Sequence, residues 1–172
     1  GMGISYTYED KKLNYKKYGE IIKNFLKKHK SKIIFEPGRS IIGDTGTLIS
    51  KIIYIKKNNS KNFIVLDAAM NDLMRPALYG AHHKILPSTK SKKKSNKTYE
   101  FVGPICESTD KFNTLKNFQE LEEKDLIAIC DVGAYGMSLS SNYNVRLKPP
   151  EILIKGSKIK IIRKKQKYKD LM

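Results

Sequence analysis

Five short stretches carry side chains that could do chemistry, and each lies beside glycine or proline. Glu36-Pro37-Gly38-Arg39 closes the apolar run Ile33-Ile34-Phe35. A carboxylate, a glycine and an arginine at a strand end can bind a charged cofactor. Glycine lets backbone N–H groups approach a phosphate, and arginine adds a forked, permanent positive charge. Within Met70–Tyr79, Arg75 and Tyr79 stand four apart, on one face of a helical turn, where they could hold one carboxylate. Gly103-Pro104-Ile105-Cys106-Glu107-Ser108 sets a thiol beside a carboxylate after a Gly-Pro break. Asp131–Tyr135 and the closely spaced Gly1 and Gly3 complete the set. Each stretch taken singly has a plainer reading: a strand-end ion pair, a solvated Arg75, a small buried cysteine next to a surface glutamate.

These residues need elements to place them. Leu13, Tyr18, Ile21, Ile22, Phe25 and Leu26 recur at helical spacing, which predicts an amphipathic helix from about Leu13 to Lys30. The run Lys32–Glu36 then reads as a buried strand, so the opening is the αβ part of a βαβ repeat. One such unit cannot close a parallel sheet or barrel. From Thr47 the texture is β. Strands are expected at Thr47–Ile55, Asn62–Asp67, Lys84–Leu86, Tyr99–Val102 and Asp125–Asp131, with one or two more across Glu151–Arg163. Met70–Tyr79 reads as irregular or briefly helical, interrupted by Pro76, and Gly133–Tyr143 as a short helix. The lysine-rich stretch Ser88–Thr98 reads as a solvated hairpin loop.

Composition bounds the rest. The 172 residues suffice for one domain with a real core. No apolar run is long enough for a membrane span, and no secretory leader is evident. Cys106 and Cys130 make no disulfide framework, which suits a reduced, cytoplasmic setting. The formal charge of +17 invites a nucleic-acid reading, that of a stand-alone basic β-domain. Arginine, however, occurs only at Arg39, Arg75, Arg146 and Arg163, while lysine, asparagine and isoleucine are abundant together. That is the residue bias of A/T-rich coding sequence, and a nucleic-acid partner is not expected.

The segments GMGISY, FEPGRSI, LDAAMNDLMRPALYGAHH, GPICESTD and DVGAYGMSLSSNYN run in this order from Gly1 to Asn144. Together they resemble the C-terminal portion of the diaminopimelate decarboxylases, in the ornithine/diaminopimelate/arginine decarboxylase family of pyridoxal-phosphate enzymes with an alanine-racemase-like fold. Ala69 and Thr109 stand where relatives commonly have glycine. The resemblance implies a mainly β chain. Residues 1–42 would be the last αβ piece of a (β/α)8 barrel and residues 43–172 the C-terminal β-domain. It implies conversion of meso-2,6-diaminopimelate to L-lysine and CO2, the last step of lysine biosynthesis, with pyridoxal 5′-phosphate as cofactor and no metal.

The site follows residue by residue from the same resemblance. Gly1, Gly3, Gly38 and Arg39 would hold the cofactor phosphate, Glu36 its ring nitrogen, and Tyr135 would lie beside cofactor and substrate. Arg39, Arg75 and Tyr79 would bind the substrate's distal carboxylate and Glu107 its distal ammonium. Cys106 would be the proton donor, suited by a thiol's being protonated at neutral pH. In the family this cysteine and the glutamate beside it reach the partner subunit's site, so a homodimer with shared active sites is implied. The lysine that forms the Schiff base lies near the start of the barrel and has no matching motif here. The 172 residues alone are therefore expected to be inactive without the N-terminal barrel. An ornithine or arginine decarboxylase relative is the alternative, and Arg75 with the Cys106-Glu107 pair argues against it: a diamine precursor offers no distal carboxylate to Arg75.

Overall fold

The computed structural model describes residues 8, 13–59, 61–90 and 93–172. Gly1 and Gly3 lie outside the described residues. The first element is helix α1 (Tyr15–Lys28), two residues shorter at each end than its periodicity suggested. Asn14 caps it, its side-chain oxygen accepting the Lys17 N–H at 3.0 Å, and Lys27 and Lys28 complement the dipole at its C-terminus. None of its residues is buried.

The expected strand over Lys32–Glu36 does not form. Residues 31–38 are irregular, and Ile34 is 86% exposed. A strand exists only through a neighbour that takes up its N–H and C=O groups. This segment enters neither of the two sheets. Its Phe35 ring meets Tyr18 edge-to-face. A four-residue helix, α2 (Arg39–Ile42), follows directly, and a tight turn over Gly43–Thr45 leads into the sheet.

The β-rich remainder is as expected in kind. Six strands form one sheet: β1 (Thr47–Lys57), β2 (Lys61–Leu66), β3 (Ile85–Pro87), β4 (Thr98–Val102), β5 (Lys111–Leu115) and β6 (Leu126–Cys130), in the order β3-β6-β1-β2-β4-β5. The long β1 is the spine. Its first half, Thr47–Lys51, pairs antiparallel with β6; its second half, from Ile52 on, pairs antiparallel with β2. An irregularity between Ile52 and Tyr54 marks the change of partner. Strand alternation puts Ile64 and Leu66 of β2, Tyr99 and Phe101 of β4, and Ile127 and Ile129 of β6 into one core with Ile52, Leu73 and Phe112. Tyr99, Phe101 and Phe118 meet edge-to-face with centroids 5.5–6.3 Å apart.

Three further expectations need correction. Ser88–Thr98 is no hairpin loop: β3 pairs with β6, and β2 pairs parallel with β4. A parallel pair requires a crossover, and the lysine-rich stretch is its last leg. Helix α3 (Arg75–Tyr79) lies in the same crossover, with Pro76 in its first turn rather than interrupting it. In place of a short helix over Gly133–Tyr143 there are two single 3-10 turns, Met137–Leu139 and Tyr143–Val145. A separate hairpin, β7 (Glu151–Lys155) and β8 (Lys158–Arg163), turns at Gly156, whose φ of +60° suits a residue without Cβ.

Candidate active site

Three loops meet at the end of the sheet where β1 begins and β6 ends. Val132 N–H donates to Gly46 O at 3.0 Å and Gly133 N–H to Gly43 O at 3.0 Å, so the loop after β6 is sewn to the turn after α2. A Cβ on Gly133 would fall into the Ile42 carbonyl. Glycine is needed there for the approach itself. Two residues of the loop, Asp131 and Tyr135, hold φ of 59°, a left-handed conformation that costs a non-glycine residue about 1–3 kcal/mol. That conformation carries the Tyr135 ring toward the segment before α2: a Cβ added to Gly38 would stand 3.2 Å from the Tyr135 hydroxyl. Gly38 and Tyr135, far apart in sequence, thus face one another. Glu36 is exposed beside them in the chain, and Arg39 is buried.

Arg75 joins this region from α3. Its guanidinium is buried, with Nη1 3.2 Å from Nε2 of His83, and His83 Nδ1 lies 2.8 Å from the carbonyl oxygen of Cys130, at the end of β6. Burial, the Cys130 carbonyl bond, Arg75, Asp131 and Arg39 all act on His83, and the net effect holds its pKa below 6.5, burial being the largest cause. Arg39 and Arg75 therefore act on one imidazole. Tyr79 does not accompany Arg75 inward. It is 66% exposed, whereas Arg75 is 5% exposed, because one turn of helix seats the arginine on the crossover's inner side.

Cys106 and Glu107 occupy a different place, the exposed tip of the loop between β4 and β5. The base of that loop is closed by Asp110. One carboxylate oxygen accepts the Ile105 N–H at 2.8 Å; the other accepts the Met70 N–H at 2.7 Å. A Cβ on Gly103 would overlap this carboxylate. Burial raises the Asp110 pKa, opposed by the two backbone donors and by Arg146. The same carboxylate thus fixes the Cys106 loop and the turn leading to Arg75. Arg146 secures that turn from the other side through Asn71 Oδ1, at 3.0 Å, and the Asp67 carbonyl. A groove of about 650 Å³ opens beside Glu107, lined by Met70, Met74, Thr109, Ser141 and Tyr143. Among the described residues, the hydrogen bonds around the Cys106 loop run to Met70 and Tyr143.

The structure therefore sets Arg39 and Arg75 to act on His83 at the end of β6 and Tyr135 opposite Gly38, and carries Cys106 and Glu107 on the tip of another loop. His83 and Asp110 are the side chains that sequence reasoning missed. Both lie inside the quoted segments GAHH and ESTD, but nothing in local spacing signals that a histidine or an aspartate will be buried. Among the described residues no group of three or more His, Cys, Asp or Glu is arranged to hold a metal ion, and no helix is long and apolar enough to cross a membrane.

A family model described as pyridoxal-dependent decarboxylase, C-terminal sheet domain, matches residues 6–133. The chain belongs to this family. Across nearly its whole length the decarboxylase sheet domain is also similar to named relatives. It is 41% identical to the diaminopimelate decarboxylase of Aquifex aeolicus over 98% of this chain and 40% of that protein. The solved diaminopimelate decarboxylase of Helicobacter pylori, complexed with L-lysine, superposes with a TM-score of 0.87 at 44% identity, covering 99% of this chain and 42% of that one. The M. jannaschii diaminopimelate decarboxylase gives a TM-score of 0.90 at 36% identity over 99% and 40%. The decarboxylase chain described here thus spans about two-fifths of the length of the relatives it matches.

Proposed function

We propose that these residues form the C-terminal part of a diaminopimelate decarboxylase, with residues 1–42 belonging to its barrel and residues 43–172 to its β-domain. The observation that carries this reading is 41–44% identity to diaminopimelate decarboxylases sustained across the whole chain. The local chemistry agrees with pyridoxal phosphate as the cofactor. Gly38 presents backbone without a side chain opposite the Tyr135 hydroxyl, and a buried arginine and an exposed carboxylate flank it in sequence. When bound, the cofactor supplies a sink for the electron pair left by departing CO2.

The chain's own residues then divide the work. Gly38 and Arg39 bind the phosphate, and Gly1 and Gly3 extend that cradle. Glu36 keeps a proton on the ring nitrogen by favouring its cationic form. Tyr135 walls the space between cofactor and substrate. Arg39 and Arg75 take the distal carboxylate of meso-diaminopimelate and Glu107 its distal ammonium; the resemblance adds Tyr79 to the carboxylate's ligands, from a surface position one helical turn beyond Arg75. Cys106 returns a proton to the substrate carbon that loses CO2. Because the Cys106-Glu107 tip is exposed and the hydrogen bonds around it run to Met70 and Tyr143, it serves the active site of a second copy in a homodimer. Turnover requires a barrel segment bearing the lysine that carries the cofactor, whether on the same polypeptide or another. A cytoplasmic setting suits its free cysteines, Cys106 and Cys130.

The test is CO2 release from meso-diaminopimelate with added pyridoxal phosphate. The 172 residues alone should give none, and the same residues joined to a family barrel should turn over. Robust turnover by the 172 residues alone would refute the need for the barrel. Turnover of ornithine in preference to diaminopimelate by the joined enzyme would refute the substrate. In that enzyme, Arg75→Gln should weaken use of diaminopimelate far more than use of a diamine precursor.

A further inference from the structure

Arg75 is the residue on which the substrate assignment turns, and the structure contains a device that holds it. Helix α3 ends at Gly80, whose φ of +60° turns the chain back, and the Gly80 and Ala81 N–H groups donate to the carbonyls of Pro76 and Arg75 in the single turn of helix. The return brings His83 against Arg75. The His83 backbone is itself tied down, its carbonyl accepting from Asn113 Nδ2 of β5 at 3.1 Å. Its ring, only 1% exposed, bridges Arg75 Nη1 and the Cys130 carbonyl.

The two partners dictate the proton's place. A backbone carbonyl only accepts, so Nδ1 must carry hydrogen toward Cys130 O. A guanidinium only donates, so Nε2 must offer its lone pair to Arg75. Both bonds are met at once only by the neutral Nδ1–H tautomer. A protonated ring would set two N–H donors head to head. We propose that His83 is the positioning residue for Arg75, a neutral acceptor that fixes the guanidinium for the substrate's distal carboxylate without adding a negative charge of its own. A carboxylate in its place would hold the arginine as firmly while competing with the substrate for its charge. The surroundings favour the neutral ring: burial first, then Arg75 on α3 and Arg39 on α2 oppose its protonation, against the carbonyl of Cys130 and the charge of Asp131 after β6. This inference rests on the reading of Arg75 as a substrate ligand.

The test uses three variants that separate shape from charge, in the active enzyme containing these residues and its barrel. Gln at this position reaches Arg75 with its side-chain oxygen, so His83→Gln keeps the acceptor and should raise the KM for diaminopimelate about threefold. Asn is too short to reach Arg75, so His83→Asn should raise KM about 10–100-fold, the expected worth of one hydrogen bond to a charged group. His83→Glu has the shape of Gln with a negative charge and should raise KM at least as much as His83→Asn. In all three kcat should change less than KM. Arg75→Gln is the internal control. If it leaves KM unchanged, the substrate reading of Arg75 fails. If it raises KM while the Asn and Gln variants behave alike, or the Glu variant matches the Gln variant, the positioning role fails. Because a buried substitution can misfold, a second readout uses the unsubstituted 172-residue chain. Imidazole ¹⁵N shifts of His83 should report the Nδ1–H tautomer at neutral pH. The Nε2–H tautomer, or a protonated ring at pH 7, would overturn the proposal.

Discussion

Replacing Asp110 should loosen the Cys106 loop and the approach to Arg75 together, because its two oxygens are spent on Ile105 and Met70. Asp110→Ala leaves two main-chain N–H groups without their acceptor. Each such loss costs about 1–3 kcal/mol. The carboxylate's own burial, which raises its pKa, gives part of that back on removal. The net expectation is about 2–4 kcal/mol. Asp110→Asn should be intermediate, about 1–3 kcal/mol by the same arithmetic, because the amide oxygen replaces one acceptor while its NH2 faces the other N–H donor. The assay is urea unfolding of the chain, read as a shift in midpoint at constant slope. Gly103→Ala supplies a cross-check. Its Cβ must intrude on the Asp110 carboxylate, so it should be costly alone and cheaper in the Asp110→Ala background. A double-mutant cycle additive within about 0.5 kcal/mol, or an Asp110→Ala midpoint equal to that of the parent, would refute this account of the loop.

The remaining predictions concern the other two loops. His83 has its pKa held below 6.5 by burial and the two arginines, so the folded state binds its proton less readily than the unfolded chain. Its contribution is therefore complete above 6.5 and is lost as pH falls through the folded-state value. Melting at pH 7.5 and 5.0 should show the stability gap between parent and His83→Gln narrowing in acid; a constant or widening gap contradicts the sign. Gly133→Ala should destabilise by about 2–4 kcal/mol, since its Cβ would overlap the Ile42 carbonyl and crowd the Gly46 backbone nitrogen and the Thr45 hydroxyl; an unchanged melting point would mean that the turns do not touch. Gly38→Ala needs a shift of only a few tenths of an ångström from the Tyr135 hydroxyl. In the joined enzyme it should weaken pyridoxal-phosphate binding several-fold with little loss of stability, and equal affinity would remove Gly38 from the cradle.

The sheet was readable because its strands carry their own evidence. β2 alternates buried and half-buried positions residue by residue, and β6 is a short apolar run between polar residues. Strand β5 escaped because only Phe112 among its five residues is fully buried, too sparse a signal to count. Lys32–Glu36 misled in the opposite sense: it has the composition of a strand, but pairing belongs to the neighbour as much as to the segment. The lysine-rich stretch misled through topology, since nothing local distinguishes a hairpin loop from the last leg of a crossover between the parallel strands β2 and β4.

The candidate site divides along the same line. Residue types and order were enough to single out Glu36, Gly38, Arg39, Arg75, Cys106, Glu107 and Tyr135 as candidates, because a carboxylate, a guanidinium, a thiol or a glycine at a strand end is visible in the sequence itself. How they are held was not readable, because holding is done by long-range partners. Spacing of four suggested that Arg75 and Tyr79 act on one face, yet Arg75 turns inward to a hydrogen bond with His83, eight residues on, and Tyr79 is at the surface. The i, i+4 rule places two side chains on the same side of a helix; it does not say whether one turn of helix is rolled toward the core or away. That roll is set by the Gly80 turn and by the anchoring of His83 to β5 and β6, contacts between residues 30 and 47 positions apart. The arginine's orientation is thus a property of the sheet, and a substitution in β5 at Asn113 should disturb it as surely as one beside it in the helix.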